Sequence, residues 1–89
     1  MNEYTVDIKD VTTRKQLHER LKNSLGFEEY YGANLDALHD ALTDLPTGTV
    51  IRITGFEEAA LSLESYATSF RRVCEDVQKE REDMEIRWE

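Results

Sequence analysis

Three short segments with strand character are separated from one another by helical sequence, and this order restricts the fold more than any other feature. In the first segment, Tyr4, Val6 and Ile8 alternate with polar residues, which is the period of a half-buried strand. The second, TVIRI at residues 49–53, is almost continuously apolar and β-branched, which is typical of a parallel strand covered on both faces. In the third segment, apolar and charged residues alternate over residues 84–89. Strands joined by helices run parallel, so the sequence predicts an α/β fold with a small three-stranded parallel sheet and flanking helices.

The connection between the first two strands carries signals for two helices. Thr13 and Gln16 have the spacing of a capping box at the start of the first helix. Gly26 is placed to end that helix in the left-handed conformation. A short loop, FEEYYG, follows, and its Gly32 suits a turn with positive φ. Asn34 is then well suited to cap a second helix that stops before the only proline.

The second connection predicts a helical turn or short helix at GFEEAAL and a longer helix over about residues 64–81. There is no repeat, linker or low-complexity tract along the 89 residues. The sequence therefore predicts a single domain spanning residues 1–89.

Acidic residues outnumber basic ones by 19 to 11, which gives a formal net charge of −8. Such a field repels nucleic acid and anionic membranes and attracts basic partners, although it also serves simply to keep a protein soluble. Cys74 is the only cysteine, so no internal disulfide forms. The sequence shows neither a signal peptide nor an apolar segment of the ~20 residues that span a bilayer. We expect a soluble, cytoplasmic protein.

The second helix has two contrasting sides. Four leucines share the side expected to face the core: Leu35, Leu38, Leu42 and Leu45. Three aspartates occupy the other side in a single row: Asp36, Asp40 and Asp44. Like charges four residues apart oppose one another by roughly 0.2–0.5 kcal/mol per pair, and Asp44 also meets the unfavourable end of the helix dipole. His39 and Thr43 flank the row. The residues alone leave two interpretations open, a merely solvated helix face or a surface for a basic partner.

The two tyrosines before this helix favour the second interpretation. Tyr30 and Tyr31 are adjacent on a tight loop, so both cannot easily pack inward. An exposed tyrosine beside a row of acids is typical of an interface anchor.

Other chemistry has little support in the sequence. Asp36, His39 and Asp40 could share a cation, but metal sites such as those of zinc need three or four convergent ligands, and no second cluster is evident. Asp36 and Asp40 as an acid–base pair would lack the burial that separates two pKa values. Cys74 fits the apolar side of its helix, and His18 fits a structural residue with its own hydrogen bond. We therefore expect no metal, no cofactor and no catalysis.

The stretch LHERLKNSLGFEEYYGANLDALHDALT, about a third of the chain, resembles the barstar family of intracellular inhibitors of barnase, a secreted ribonuclease. The resemblance implies a three-stranded parallel sheet with flanking helices. It also implies that the tyrosine loop and the second helix plug the active site of a basic, extracellular-type ribonuclease in a one-to-one complex. The carboxylates would occupy the sites of RNA phosphates, and Asp40 would dominate the contact. The supporting contacts would be Tyr30, Asn34, Asp36, Thr43 and, on the last long helix, Asp76, whose neighbour is Glu75.

The chain departs from the family at two positions of this surface. His39 stands where the family often has tryptophan, and Asp44 stands where it often has glycine. The extra carboxylate indicates a partner with an additional cation, or one that is no close relative of barnase, and His39 could titrate near neutral pH. The alternative function is an acidic interaction module or immunity protein for an unrelated basic toxin. We expect a monomer when the protein is free.

Overall fold

A computed structural model describes residues 2–89 of the protein. Within these residues the elements are β1 (Asn2–Asp7), α1 (Arg14–Leu25), α2 (Leu35–Thr43), β2 (Thr49–Thr54), α3 (Phe56–Leu63), α4 (Ser65–Glu80) and β3 (Glu85–Trp88). The strands form a parallel sheet in the order β1-β2-β3. The predicted α/β architecture with a three-stranded parallel sheet is confirmed. None of the helices in the described part of the chain is long and apolar enough to cross a membrane.

The helices cover only one face of the sheet. On the central strand β2, Ile51 and Ile53 are buried, whereas Arg52 between them reaches the other face. There its guanidinium lies 3.0 Å from the Glu89 carboxylate and 3.7 Å from that of Glu3. The expectation that β2 is covered on both faces is therefore wrong. Because the strand order follows the chain order, both right-handed crossovers advance in the same direction and place their helices on the same side.

The two ends of α1 form as the sequence predicts. The Thr13 hydroxyl accepts a hydrogen bond from the Gln16 backbone N–H at 3.1 Å, and the Gln16 side chain accepts one from the Thr13 N–H at 3.3 Å. Gly26 ends the helix with a φ of 71°. Both signals were readable because each cap depends on residues within one turn.

Gly32 differs from expectation. The left-handed conformation before α2 belongs to Ala33, with a φ of 53°, and not to Gly32. A Cβ atom at Gly32 would lie only 3.1 Å from the Cβ of Ala37 in the first turn of α2. A side chain at this position would crowd Ala37, so glycine suits the close approach of the loop to the helix, and the predicted positive φ is wrong.

An aromatic cluster closes the core at the C-terminal end of the sheet. The indole of Trp88 contacts Phe56 and Phe70 edge to face, with ring centroids 5.0 and 5.6 Å apart. The guanidinium of Arg71 lies 4.8 Å from the centroid of the same indole. This cluster ties β3 to α3 and to the first half of α4.

Candidate functional site

Asn34 begins α2 and sets the direction of the helix as it leaves the loop. Its Oδ1 accepts a hydrogen bond from the Ala37 backbone N–H at 2.7 Å, which confirms the predicted N-cap. Its Nδ2 donates to the Gly32 carbonyl at 3.4 Å. The amide is exposed but already used for capping, so a partner could contact only its remaining hydrogen-bonding capacity.

The three aspartates Asp36, Asp40 and Asp44, here called the acidic ridge, are all exposed. Leu38 and Leu42 on the other side of α2 are fully buried in the core. Among residues 2–89, no lysine or arginine lies within ion-pairing distance of a ridge carboxylate. The fold therefore leaves these charges available to a cation from outside the chain.

His39 joins the acidic ridge to α4. Its Nε2 lies 2.7 Å from a carboxylate oxygen of Glu80, and its Nδ1 lies 3.7 Å from Oδ1 of Asp40. Partial burial lowers the pKa of His39, but the hydrogen bonds and charges of Glu80 and Asp40 outweigh it, so the pKa is raised above its ordinary value. The imidazole is thus shared by two acids from two helices.

Thr43 uses its hydroxyl within the helix. Its Oγ1 donates to the backbone carbonyls of Asp40 at 2.8 Å and of His39 at 3.1 Å. The half-buried hydroxyl can therefore act toward a partner only as an acceptor.

A cation from elsewhere in the chain stabilises the end of the ridge. Asp44 follows the last helical residue, where the helix dipole disfavours a carboxylate. Arg81, just after α4, directs its guanidinium to this end at 2.6–3.3 Å from four carbonyl oxygens, those of Leu42, Thr43, Leu45 and Pro46. The arginine satisfies carbonyls that a helix end leaves unpaired and offsets the negative end of the dipole.

The two loop tyrosines have opposite environments. Tyr30 is 85% exposed, whereas Tyr31 packs on Phe27 and its hydroxyl lies 2.7 Å from Nδ1 of His18. The other ring nitrogen of His18 lies 2.7 Å from the hydroxyl of Tyr66 on α4. Burial lowers the pKa of His18 and raises those of both tyrosines, so the three side chains form a neutral network. The structural role predicted for His18 is confirmed.

A groove of about 400 Å³ lies between the tyrosine loop and α2. Its apolar lining includes Phe27, Ala37, Ala41 and Leu45, and its carboxylates include Asp40 and Asp44. Tyr30 lines the same groove. A long cationic side chain would find both apolar contact for its stem and carboxylates for its charged end.

Residues 1–88 match the family model described as Barstar (barnase inhibitor). The chain belongs to the barstar family. It is also 40% identical over 86 residues to a protein of Bacillus subtilis (strain 168) named "Putative ribonuclease inhibitor YrdF". That alignment covers 93% of this chain and 92% of the relative.

The barstar resemblance implies an acid on the last long helix, for which Asp76 is the expected residue and Glu75 its neighbour. Asp76 is exposed on α4, one turn before Glu80, which contacts His39. Glu75 instead lies 3.7 Å from the Arg71 guanidinium. Because residues four apart share a helix face, Asp76 is on the side of α4 that leads to Glu80 and His39.

Sequence reasoning missed Glu80 and Arg81, which both act on α2 from the end of α4. No local pattern connects either residue with a helix that ends almost 40 positions earlier. No cluster of three or more metal-ligating side chains occurs within residues 2–89.

Proposed function

We propose that this protein inhibits a ribonuclease by inserting the acidic ridge and Tyr30 into the active site of the enzyme. The ridge carboxylates take the places of RNA phosphates and are neutralised by the basic residues that normally bind RNA. The inhibitor is a monomer that forms a one-to-one complex with a basic, barnase-like enzyme. It acts in the cytoplasm and itself catalyses no reaction.

One observation carries this proposal. Three carboxylates stand in a row on the solvent side of α2, and no lysine or arginine of the described chain pairs with them. Their mutual repulsion costs free energy in the isolated protein. A cationic groove removes that repulsion, so part of the strain in the free helix is recovered on binding.

The residues around the acidic ridge have different roles in the proposed contact. Asp40 lies at the middle of the ridge and lines the groove beside Tyr30, so it is the central contact. Asp36, Asn34 and Thr43 border it along α2, and they orient the partner. Asp76 extends the acidic surface onto α4.

Tyr30 supplies the apolar part of the contact. Its ring is rigid and almost fully exposed, because the neighbouring Tyr31 is held by His18. Burial of a tyrosine ring at the centre of an interface is among the commonest large contributions to affinity.

The decisive experiment compares inhibition of barnase by the wild type and by Asp40→Ala. Loss of one partner from a desolvated charge pair costs about 2 kcal/mol or more, so we expect at least about 30-fold weaker inhibition. Glu19→Ala removes the same charge from an exposed position on α1 and serves as the matched control, with unchanged inhibition expected. Equal inhibition by Asp40→Ala and the wild type, with both folded by circular dichroism, would refute the proposed mechanism.

A second candidate function rests on the two departures from the family. His39 and Asp44 alter the charge of this surface, which suits an immunity protein for a basic toxin unrelated to barnase. Capture from a set of purified basic ribonucleases and basic non-ribonuclease toxins, repeated with Asp40→Ala, separates the two. Selective binding of a ribonuclease supports the first function, and selective binding of another toxin supports the second.

A further inference from the structure

His39 lies between carboxylates that belong to two different helices. Its Nε2 lies 2.7 Å from the Glu80 carboxylate on α4, and its Nδ1 faces Asp40 at 3.7 Å. Neutral imidazole carries one N–H and can donate to only one of these acids, whereas imidazolium can donate to both. In the free protein this geometry favours the protonated ring.

A basic partner changes that balance. Asp40 lines the groove, so a cation bound beside it takes the place of the imidazolium. The protonated ring would then face a like charge, which disfavours its charged form. The neutral ring keeps its Nε2–H donated to Glu80, so the contact between α2 and α4 survives loss of the proton.

Resting on the proposed function, we propose that binding of a basic ribonuclease expels a proton from His39 to the solvent, so that affinity increases with pH. The direction of this pH dependence follows from the linkage between proton binding and partner binding. When the complex binds fewer protons than the free proteins, raising the pH favours the complex, over the range between the histidine pKa in the complex and that in the free protein. His39 would therefore make the affinity for the target depend on pH.

The charged groups that contact His39 favour its protonated form in the free protein. His39 lies within about one helical turn of Asp36 and Asp40 on α2, and its partner Glu80 lies within about one turn of Asp76, Lys79 and Arg81 at the end of α4. Glu80 and Asp40, the two acids that contact the ring, favour the imidazolium. The guanidinium of Arg81 is held on backbone carbonyls and on Asp83, away from the imidazole. Burial already opposes protonation in the free protein, and a cationic partner adds a like charge that opposes it further.

The test measures affinity for barnase from about pH 5 to pH 8 with the wild type and with His39→Gln. Glutamine retains a donor for Glu80 but does not titrate. Titrating groups of barnase, and His18 of the inhibitor, are the same in both measurements. Their contributions therefore cancel in the ratio of the two affinities. We expect this ratio, wild type over variant, to rise by about tenfold across the range, which corresponds to a lowering of the His39 pKa by one unit on binding.

Calorimetry in two buffers of different ionisation enthalpy gives the proton count. We expect the wild type to release about half a proton more than His39→Gln at the pH midway between the two histidine pKa values, which is what a one-unit shift requires. Tight binding with parallel pH profiles and equal proton release would overturn the proton link while leaving the inhibitor function intact. Absence of binding by both proteins at every pH would overturn the inhibitor function and this inference together.

Discussion

Asp44 occupies a position where the electrostatics of a helix disfavour a carboxylate. It follows the last residue of α2, and Asp40 lies one turn before it on the same side. Arg81 offsets the dipole at this end but does not pair with the Asp44 side chain. The free protein therefore carries a small destabilisation, which the proposed cationic partner would relieve.

Replacing Asp44 should separate stability from binding. We expect Asp44→Asn to raise the free energy of unfolding by roughly 0.5 kcal/mol, because it removes one like-charge pair and one unfavourable dipole interaction. The same substitution should weaken binding to barnase if that enzyme presents a cation at this end of the ridge. Urea denaturation measures the first effect and inhibition assays the second.

Asp36→Asn is the matched control for stability. Asp36 lies in the first turn of α2, where the dipole favours an acid, so its replacement should give no gain in stability. A loss of stability in Asp44→Asn would contradict the electrostatic account of the ridge.

The two adjacent tyrosines show what the sequence can and cannot predict about single residues. That one of the two adjacent tyrosines is exposed follows from the geometry of a tight loop. Which one is exposed depends on the position of His18, 13 residues before Tyr31, and of Tyr66 in another helix. Contacts of that kind have no signature in the local pattern.

Among the elements, α2 depends most on a residue outside it. Arg81 donates to carbonyl oxygens at the end of this helix and also to the Asp83 carboxylate at 2.6 Å. Asp83 in turn accepts from the Gly48 backbone N–H at 3.3 Å. This chain of contacts links the end of α4 to the segment that leads from α2 into β2.

Removing the guanidinium should therefore loosen one end of the ridge. We expect Arg81→Met to lower the free energy of unfolding by about 2 kcal/mol, because several carbonyl hydrogen bonds to a charged group are lost together. Amide hydrogen exchange should accelerate at Thr43 and Asp44. Chemical denaturation and exchange measured by NMR test both effects.

Arg81→Lys distinguishes charge from geometry. Lysine keeps the positive charge but lacks the planar fork that reaches several oxygens at once, so an intermediate stability is expected. If the methionine variant is as stable as the wild type, Arg81 does not anchor α2.

The order and type of the elements were predictable because periodicity and caps are local properties of the chain. Whether β2 is covered on one face or on both was not predictable, since it depends on the spatial order of the strands. An almost continuous apolar segment occurs in central strands of both kinds. Arg52 within that segment was the available signal: an arginine between two isoleucines indicates a face open to water. Gly32 was misread because close approach and positive φ both select glycine.

For the molecule as a whole, the net charge of −8 should govern encounter with a basic enzyme. We expect the association rate with barnase to fall by about tenfold or more between about 0.01 M and about 1 M salt, over which the screening length shrinks from ~30 to ~3 Å. The dissociation rate should change much less. Stopped-flow mixing at several salt concentrations measures both rates.

A charge-reduced variant provides the comparison. Asp36→Asn should show a slower association rate at low salt and a shallower salt dependence, whereas Glu19→Gln on α1 should stay closer to the wild type. An association rate that is independent of salt would contradict electrostatic steering.

The position of the only tryptophan has a practical consequence for all these measurements. Trp88 packs against Phe70, which lies ten residues, or about 15 Å of helix, before Glu80 and the contact with His39. We expect its fluorescence to report whether the end of the sheet is assembled and to respond little to changes at the ridge. Trp88 thus offers an intrinsic fluorescence signal for unfolding. This signal should not change when the ridge carboxylates are substituted or neutralised.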